Sequence, residues 1–468
     1  MKGFKRTVVG LAELETFREV LVDYEVMVVT VLDAILDRYE KHPEYHFIDT
    51  KLSMLTGEDF PVLADQTRDF KSRTAIYAWI QGRGLEALVG HARWLDRCSV
   101  LSDAEKTERR ERLRRMIAEV FEQMESIRAK NHGRLFFTMT PDGEPFGLDE
   151  TGRRRPIRLK GRPCGFSDLF YAKGMLAAAS FLKREEKIDE AKRCFRSVLS
   201  DIRQERFADV QISFDRKNVR RAAPGRFPQG PRMIAIGGCA LFAELSDEDE
   251  WFEVGETLIR GLTEEHLNTG QFDELEPYDY FEHRDADGEP WKENGQVLSD
   301  PGHSLEFVGL AAKFLLLLET RDQKTTSQTD LLERCRALLP KVFVRNFRNG
   351  FNERIGGICK SFDLISRTPI NDDMPWWNLP ETMRAAAELL ILCPNAEERA
   401  DIVRALVACS NGFMTRFVNP DAHLMAYQTI NAAGKPVDVI PATPDADPGY
   451  HTGLSLIDML DCFAKLGG

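Results

Sequence analysis

None of the nine cysteines forms a Cys-x-x-Cys pair. The usual zinc spacing is therefore missing, and no disulfide framework is suggested. Most of the nine sit in apolar, helix-patterned stretches, which predicts buried free thiols in a reducing compartment. There is no excess of positive charge either: 63 Lys and Arg stand against 75 Asp and Glu, a net charge of −12. A general grip on nucleic acid needs a basic face, so nucleic acid is not expected as a partner. The opening Met1-Lys2-Gly3-Phe4-Lys5-Arg6 leads into an acidic amphipathic stretch, with no signal-type apolar core. No segment reads as long enough to span a membrane, so no membrane association is expected and the cytoplasm is the expected location. Gly-x-Gly-x-x-Gly and Walker loops, the Gly-x-Ser-x-Gly elbow and His-Glu-x-x-His are all absent. Nucleotide-binding, serine-hydrolase and zinc-protease readings thus have no motif behind them.

What is present is an ordinary globular composition, 43% hydrophobic and 29% charged over 468 residues. That length suits two domains or one large repetitive domain. Helical periodicity dominates and predicts twelve helices, at about 11–41, 72–97, 103–130, 166–183, 187–204, 231–246, 248–263, 302–320, 327–346, 378–394, 396–412 and 449–466. Most pair across short turns such as Arg184-Glu185-Glu186 and Ser246-Asp247-Glu248. Strand-like segments, 134–139 and 210–214 among them, separate the pairs, and Asp142-Gly143 and Asp287-Gly288 read as hairpin turns. Twelve such helices close as six inner and six outer. The expected fold is all-α: an (α/α)6 barrel of six helical hairpins, with short β-hairpins in the loops at one mouth. An open solenoid usually carries a repeat signature, whereas these units agree in size and not in sequence. No Pro-, Gly- or Ser-rich linker interrupts the chain, so residues 1–468 are expected to form a single catalytic domain. Stretches 175–182, 233–245 and 304–318 are apolar on more than one face, which marks inner-ring helices. Gly237-Gly238 predicts close helix packing.

Chemistry-bearing residues gather at helix starts. Pro301-Gly302-His303-Ser304-Leu305-Glu306 opens a helix at about His303. The positive dipole end there favours a neutral imidazole, which can accept a proton. Glu306 shares its face, so the pair suggests proton transfer; the plainer reading is a capped helix with a surface histidine. Pro448-Gly449-Tyr450-His451 repeats the pattern. His42, His46, His91, His132, His266, His283 and His423 lie in polar or less ordered contexts, and most are expected to be solvated. Arg83 follows Ile80-Gln81-Gly82 in an apolar helix and needs an anionic or strongly polar partner, or an internal ion pair. Trp376 and Trp377 precede a helix carrying Glu381; they suit either sugar faces or the core. Ser167 or Asp168 reads as a helix cap, and 356–363 as a hairpin at the mouth. A His-x-x-Glu pair can bind metal in helical bundles, yet neither His303 nor His451 has metal-site spacing.

In this order the motifs resemble the N-acylglucosamine 2-epimerase family, with its relatives the cellobiose 2-epimerases and mannose/glucose-type aldose–ketose isomerases. Gln81-Gly82-Arg83 is similar to the family's Q-x-R element, and Ser167-Asp168-Leu169-Phe170 to its S-D-x-F helix start. Pro301 to Glu306 is similar to its P-G-H-x-x-E signature, Gly356-Gly357 with Asp363 to its hairpin, and Trp376-Trp377 with Glu381 to W-W-x-x-x-E. His451 falls where the family's second catalytic histidine lies. The resemblance implies a six-hairpin barrel and a carbohydrate isomerase without metal or cofactor. It also implies His303 and His451 as acid/base and Arg83, Glu306, Trp376, Trp377 and Glu381 as substrate-binding residues. The reaction it implies removes the C2 proton of an open-chain reducing sugar to give an enediolate. Proton return to C2 yields the 2-epimer, and return to C1 yields the ketose. There are departures. Met233-Ile234-Ala235 stands where some relatives have a further histidine. The basic stretches 153–162 and 216–221 could select an anionic sugar, or be solvated loops. Two other classes stay open: a glycoside hydrolase using Glu306 and Glu381, and a non-catalytic sugar-binding barrel. The expected partner is a small-molecule sugar; homodimers are common on such barrels, and the sequence leaves that open.

Overall fold

Two kinds of helical sequence alternate along the chain, and they build two concentric rings. The computed structural model describes residues 3–157, 161–207, 223–246, 248–440 and 443–467. After a short helical turn at Leu14–Phe17, its long helices are α1 (Leu21–Lys41), α2 (Ala78–Trp94), α3 (Asp103–Lys130), α4 (Phe166–Leu182), α5 (Glu185–Arg203) and α6 (Gly230–Ser246). They continue as α7 (Asp249–Glu265), α8 (Pro301–Glu319), α9 (Thr326–Gly350), α10 (Asn378–Leu392), α11 (Arg399–Gly412) and α12 (Ser455–Leu466). Outer helix α5 buries a single stripe (Ala191, Phe195, Val198, Leu199, Ile202) and leaves charge outside. Inner helix α10 is buried along nearly its whole length, from Asn378 to Leu392. A helix apolar all round must be covered on every side.

The even-numbered helices pack in succession from α2 to α12, and the turn leading into α12 returns to α2. Each also packs on the odd-numbered helix of its hairpin; α1 serves α12, so the two ends of the chain close the ring. The three stretches expected on the inner ring lie in α4, α6 and α8. Where α2 crosses α4, backbones touch: a Cβ on Gly174 would stand 2.4 Å from the Gly82 carbonyl oxygen. Gly237 and Gly238 instead receive the side chains of Leu310 and Phe195, as close packing predicts.

Three expectations change in detail. The stretch 72–97 is helical only from Ala78, because Ile76–Tyr77 pairs as a strand with Thr138–Met139. The stretch 11–41 breaks at a 3₁₀ turn, Arg18–Val20, before α1. Helix α8 is long and apolar enough to cross a membrane, contrary to the reading that no segment is; 78% of that window is buried, as suits an inner helix. Segment 210–214 lies outside the described residues. All nine cysteines are free, and eight are buried.

Every long connection precedes an inner helix, so the loops gather at the mouth where inner-helix N-termini open. The Asp142-Gly143 and Asp287-Gly288 turns are there, with Gly143 and Gly288 at φ +90° and +88°. A four-stranded antiparallel sheet, in the order Thr368–Asn371, Ser361–Asp363, Gln296–Ser299, Lys292–Glu293, ties the approach to α8 to the approach to α10.

Candidate active site

The two helix-mouth histidines converge on one indole. At α8, Pro301 takes the first helical position, where a missing N–H is harmless, and Asp300 caps the helix by accepting the His303 N–H at 3.3 Å. The helix thus starts two residues before His303. Gly302 is dictated by contact, since a Cβ there would stand 2.1 Å from Asn378 Oδ1. The His303 ring lies 5.4 Å from that of Trp377. Its Nδ1 is 3.1 and 3.2 Å from the two oxygens of Glu282 and 3.5 Å from Asp300 Oδ2. Asp300 also accepts from Lys360 Nζ at 2.7 Å.

Burial opposes a charge on His303, but the Asp300 and Glu282 carboxylates outweigh it and raise the imidazole pKa. This corrects the neutral ring expected from the helix dipole: two full anions in contact exceed the partial charge of a helix end. It also corrects the expected partner. Among the described residues Glu306 makes no hydrogen bond to His303; Glu282 does. Asp300 went unread in the sequence, although an Asp directly before Pro-Gly is a local signal for a helix cap with Pro at the first position. Glu282 had no local signal, lying on a hairpin 21 residues upstream.

His451 is set differently. Gly449 adopts φ +81°, and a Cβ there would stand 2.8 Å from His91 Nε2. Tyr450–Leu454 then make one π-helical turn before α12, a deviation frequent at functional sites. The Asp447 carboxylate accepts the N–H groups of Tyr450, His451 and Thr452 at 2.9, 3.3 and 2.7 Å. His451 Nδ1 is 2.7 Å from Glu381 Oε1, which also accepts from Ser455 Oγ at 2.7 Å. Arg384 ion-pairs with the other Glu381 oxygen. Burial alone would raise the Glu381 pKa; Arg384, His451 and Ser455 instead hold it well below the usual carboxylate range. The His451 ring lies 5.8 Å from Trp377 and stands edge-on to Trp376 at 6.0 Å.

Each imidazole therefore has Nδ1 engaged by a carboxylate, and among the described residues neither Nε2 has a protein partner. Glu306, one turn below His303, is buried among these groups; burial and the nearby Glu381 charge raise its pKa, favouring a neutral carboxyl. Trp376 and Trp377 are each 8% exposed, so their main contact is with the histidine rings rather than an open face. Arg83 has no carboxylate partner among the described residues. Its guanidinium rests 4.1 Å from the Phe170 ring, 4.9 Å from Trp79 and 5.2 Å from Tyr450, with Nε buried and unbonded. Beside it, Lys173 donates to Tyr450 Oη at 2.9 Å and pairs with Glu86 at 3.0 Å.

Elsewhere the structure sorts the remaining signals. The helix cap is Gly165 rather than Ser167 or Asp168; Asp168, in the first turn, accepts the Gly165 and Leu135 N–H groups and pairs with Arg134. His91, His266 and His283 are buried, not solvated. His91 packs beneath Gly449 and His266 bonds the Phe281 carbonyl; burial lowers both to about 4. Arg154 is taken up by the Asp69 carbonyl and Thr74, and Arg153 by Asp65. Lys160 and 216–221 lie outside the described residues. Among the described residues, no group of three or more His, Cys, Asp or Glu side chains could hold a metal ion.

Comparison with known proteins places the chain in a family. The family model for N-acylglucosamine 2-epimerase (GlcNAc 2-epimerase) matches residues 166–452, which include both histidines, Glu306, Trp376, Trp377 and Glu381 but not Arg83. The cellobiose 2-epimerase of Spirochaeta thermophila superposes with a TM-score of 0.65 at 13% identity, over 97% of this chain and 99% of that one. The cellobiose 2-epimerase of Bacillus thermoamylovorans gives 0.60 at 12%, over 92% and 99%. A D-mannose isomerase gives 0.59 at 12%, over 92% and 97%. At such identities the likeness is one of fold. No curated protein matches the sequence. The family match covers more than half of the chain and contains both histidine-bearing helix mouths: the protein belongs to the N-acylglucosamine 2-epimerase family, and is by that membership a sugar epimerase or isomerase on an (α/α)6 barrel.

Proposed function

We propose that this protein is a sugar 2-epimerase or aldose–ketose isomerase acting on the open-chain form of a reducing sugar, with His303 and His451 as its acid/base pair. The observation that carries the reading is the pair of imidazoles set against Trp377, each held at Nδ1 by a carboxylate and, among the described residues, without a partner at Nε2. A carboxylate on Nδ1 fixes the tautomer and leaves Nε2 for proton transfer.

The C2 hydrogen of an aldose lies beside the C1 aldehyde and is weakly acidic. One imidazole removes it, and the C–H electrons form the C1=C2 bond of an enediolate. Proton return to the opposite face of C2 gives the 2-epimer; return to C1 gives the ketose. Each positioned acid or base contributes roughly 10²–10⁴ in rate. Arg83, lacking a carboxylate of its own, would stabilise charge on the intermediate's oxygens. Glu306 would hydrogen-bond a sugar oxygen, and the Trp376 and Trp377 edges would bound the cavity. The hydrolase alternative is less well supported. Glu381 is 0% exposed and already engaged by His451, Ser455 and Arg384, so it is not available as a catalytic carboxylate.

The test is a panel of aldoses, N-acylhexosamines and reducing disaccharides in heavy water, followed by NMR. Deuterium should enter C2 of the product. Hydrolysis of a disaccharide without C2 exchange, or no turnover on any sugar, overturns the proposal.

A further inference from the structure

We infer that His91 is a positioning residue for His451: its Nε2–H, donated to the Gly449 carbonyl, holds the widened helical turn that aims the His451 ring at Glu381. This deepens the two-histidine reading above, on which its effect on turnover rests.

His91 lies near the end of inner helix α2 and is wholly buried. A carbonyl oxygen only accepts, so the 3.3 Å contact between Nε2 and the Gly449 oxygen places a hydrogen on Nε2. Burial lowers the His91 pKa to about 4, so the ring is neutral and that hydrogen is its one N–H. Nδ1 is then a buried acceptor, and among the described residues it has no partner. Bulk alone would be better supplied at this position by a leucine, which leaves no polar atom unpaired. What the imidazole adds is the Nε2 bond.

The Gly449 carbonyl is the acceptor that defines the turn. It also takes the Leu454 N–H at 3.2 Å, five residues on, which is the bond of a π-helical turn. An α-helical turn would bond it to the Gly453 N–H instead. His91 stands at that place: a Cβ on Gly453 would lie 2.3 Å from His91 Nε2, and one on Gly449 2.8 Å. Gly90, next to it on α2, receives Leu454, since a Cβ there would lie 2.2 Å from Leu454 Cδ2. Helix α2 thus seats both ends of the turn, and only residues without a Cβ fit against the imidazole.

The width of the turn sets where His451 points. One residue takes up about 100° of an α-helix, so tightening the turn would swing residues 450–452 by roughly that angle against α12. His451 Nδ1 and Ser455 Oγ meet the same Glu381 oxygen, at 2.7 Å each, from the two sides of the turn. That shared contact depends on the observed phase. Asp447 holds the N–H groups of Tyr450 and Thr452, and His91 holds the carbonyl side.

The experiment uses histidine-labelled full-length protein. The Nδ1–H signal of His451, assigned by its loss in His451→Gln, is followed by NMR, together with kcat and KM for the sugar that exchanges fastest in the panel above. In His91→Leu, kcat should fall by about 10- to 100-fold while KM changes less than about threefold, because a displacement of about 1 Å misaligns the reacting atoms. The His451 signal should move as its bond to Glu381 lengthens. His91→Gln keeps a donor at Nε2 and should recover most of both. A merely structural His91 would lower the melting temperature of His91→Leu and leave kcat and the signal at wild-type values; that result overturns the inference, and so does a Gln variant no better than the Leu variant. If His91→Leu fails to fold, Gly453→Ala crowds the same contact and should lower kcat and move the signal, and no change in either overturns the inference. A wild-type protein without C2 exchange on any sugar overturns the two-histidine reading, and the His451 signal then decides the positioning role by itself.

Discussion

His303 and His451 bring the same imidazole to the same indole on two different kinds of support. The partners of His303 come from loops: Glu282 from a hairpin, Asp300 from a helix cap and Lys360 from the turn after Gly357–Ile358, and its side chain stays 27% open. The carboxylate on His451 Nδ1 comes from an inner helix: Glu381 lies on α10, held there by Arg384 of α10 and Ser455 of α12, and the His451 side chain is only 7% open. A loop-borne carboxylate thus stands beside a partly open ring, and a helix-borne one beside an enclosed ring, so the two imidazoles differ in solvent access as well as in support.

Removing the rings breaks the comparison most severely. His303→Ala and His451→Ala should each lower kcat by roughly 10²–10⁴ with melting curves close to wild type; a variant with near-normal C2 exchange takes that ring out of the mechanism. Next come the two cations. Arg384→Met strands the buried Glu381 and should cost about 3–5 kcal/mol, whereas Lys360→Met, removing a cation that is itself 25% open from the buried Asp300, should cost less, about 1–3 kcal/mol, both read by urea unfolding. Equal costs would erase the distinction between a buried and an open anchor.

The two helix-mouth glycines come third. Gly449→Ala adds both a clash with His91 and strain at φ +81°, while Gly302→Ala adds only a clash with the Asn378 side chain. Each should cost about 1–3 kcal/mol, Gly449→Ala the more of the two. The smallest effect is on pH. His303 has a raised folded pKa, so the stability it adds is complete below the ordinary imidazole range and disappears as pH rises through the raised value. Glu381 has a depressed one, so its contribution is present above the ordinary carboxylate range and disappears as pH falls through the depressed value. His303→Gln should therefore destabilise the protein at about pH 5 and hardly at all at about pH 9, read by denaturant titration at both. Loss of equal size at both values would remove His303 from the linkage.

The architecture was legible because its evidence is local. Apolar residues on more than one face of α4, α6 and α8, against one stripe on α5, are read within a few turns and already mark those three as inner helices. The helix mouths were legible for the same reason: Pro-Gly-His and Trp-Trp lie within a few residues of the elements they open. The partners were not. Glu282 meets His303 across 21 residues and Glu381 meets His451 across 70. His91 reads as a polar residue in an amphipathic helix, yet closure of the ring lays Gly449 and Gly453 directly against it. The membrane-like length of α8 misleads in the opposite direction, since the neighbouring helices and not lipid cover it.

By itself, the order of residues determined twelve helices, their sorting into two rings, and the two helix mouths at which imidazoles stand. Only the folded barrel decided which carboxylate each imidazole meets. The reason is physical: periodicity is a property of neighbours along the chain, whereas the proton affinity of a ring sums over every charge within a few ångströms, and here those charges arrive from several separate elements.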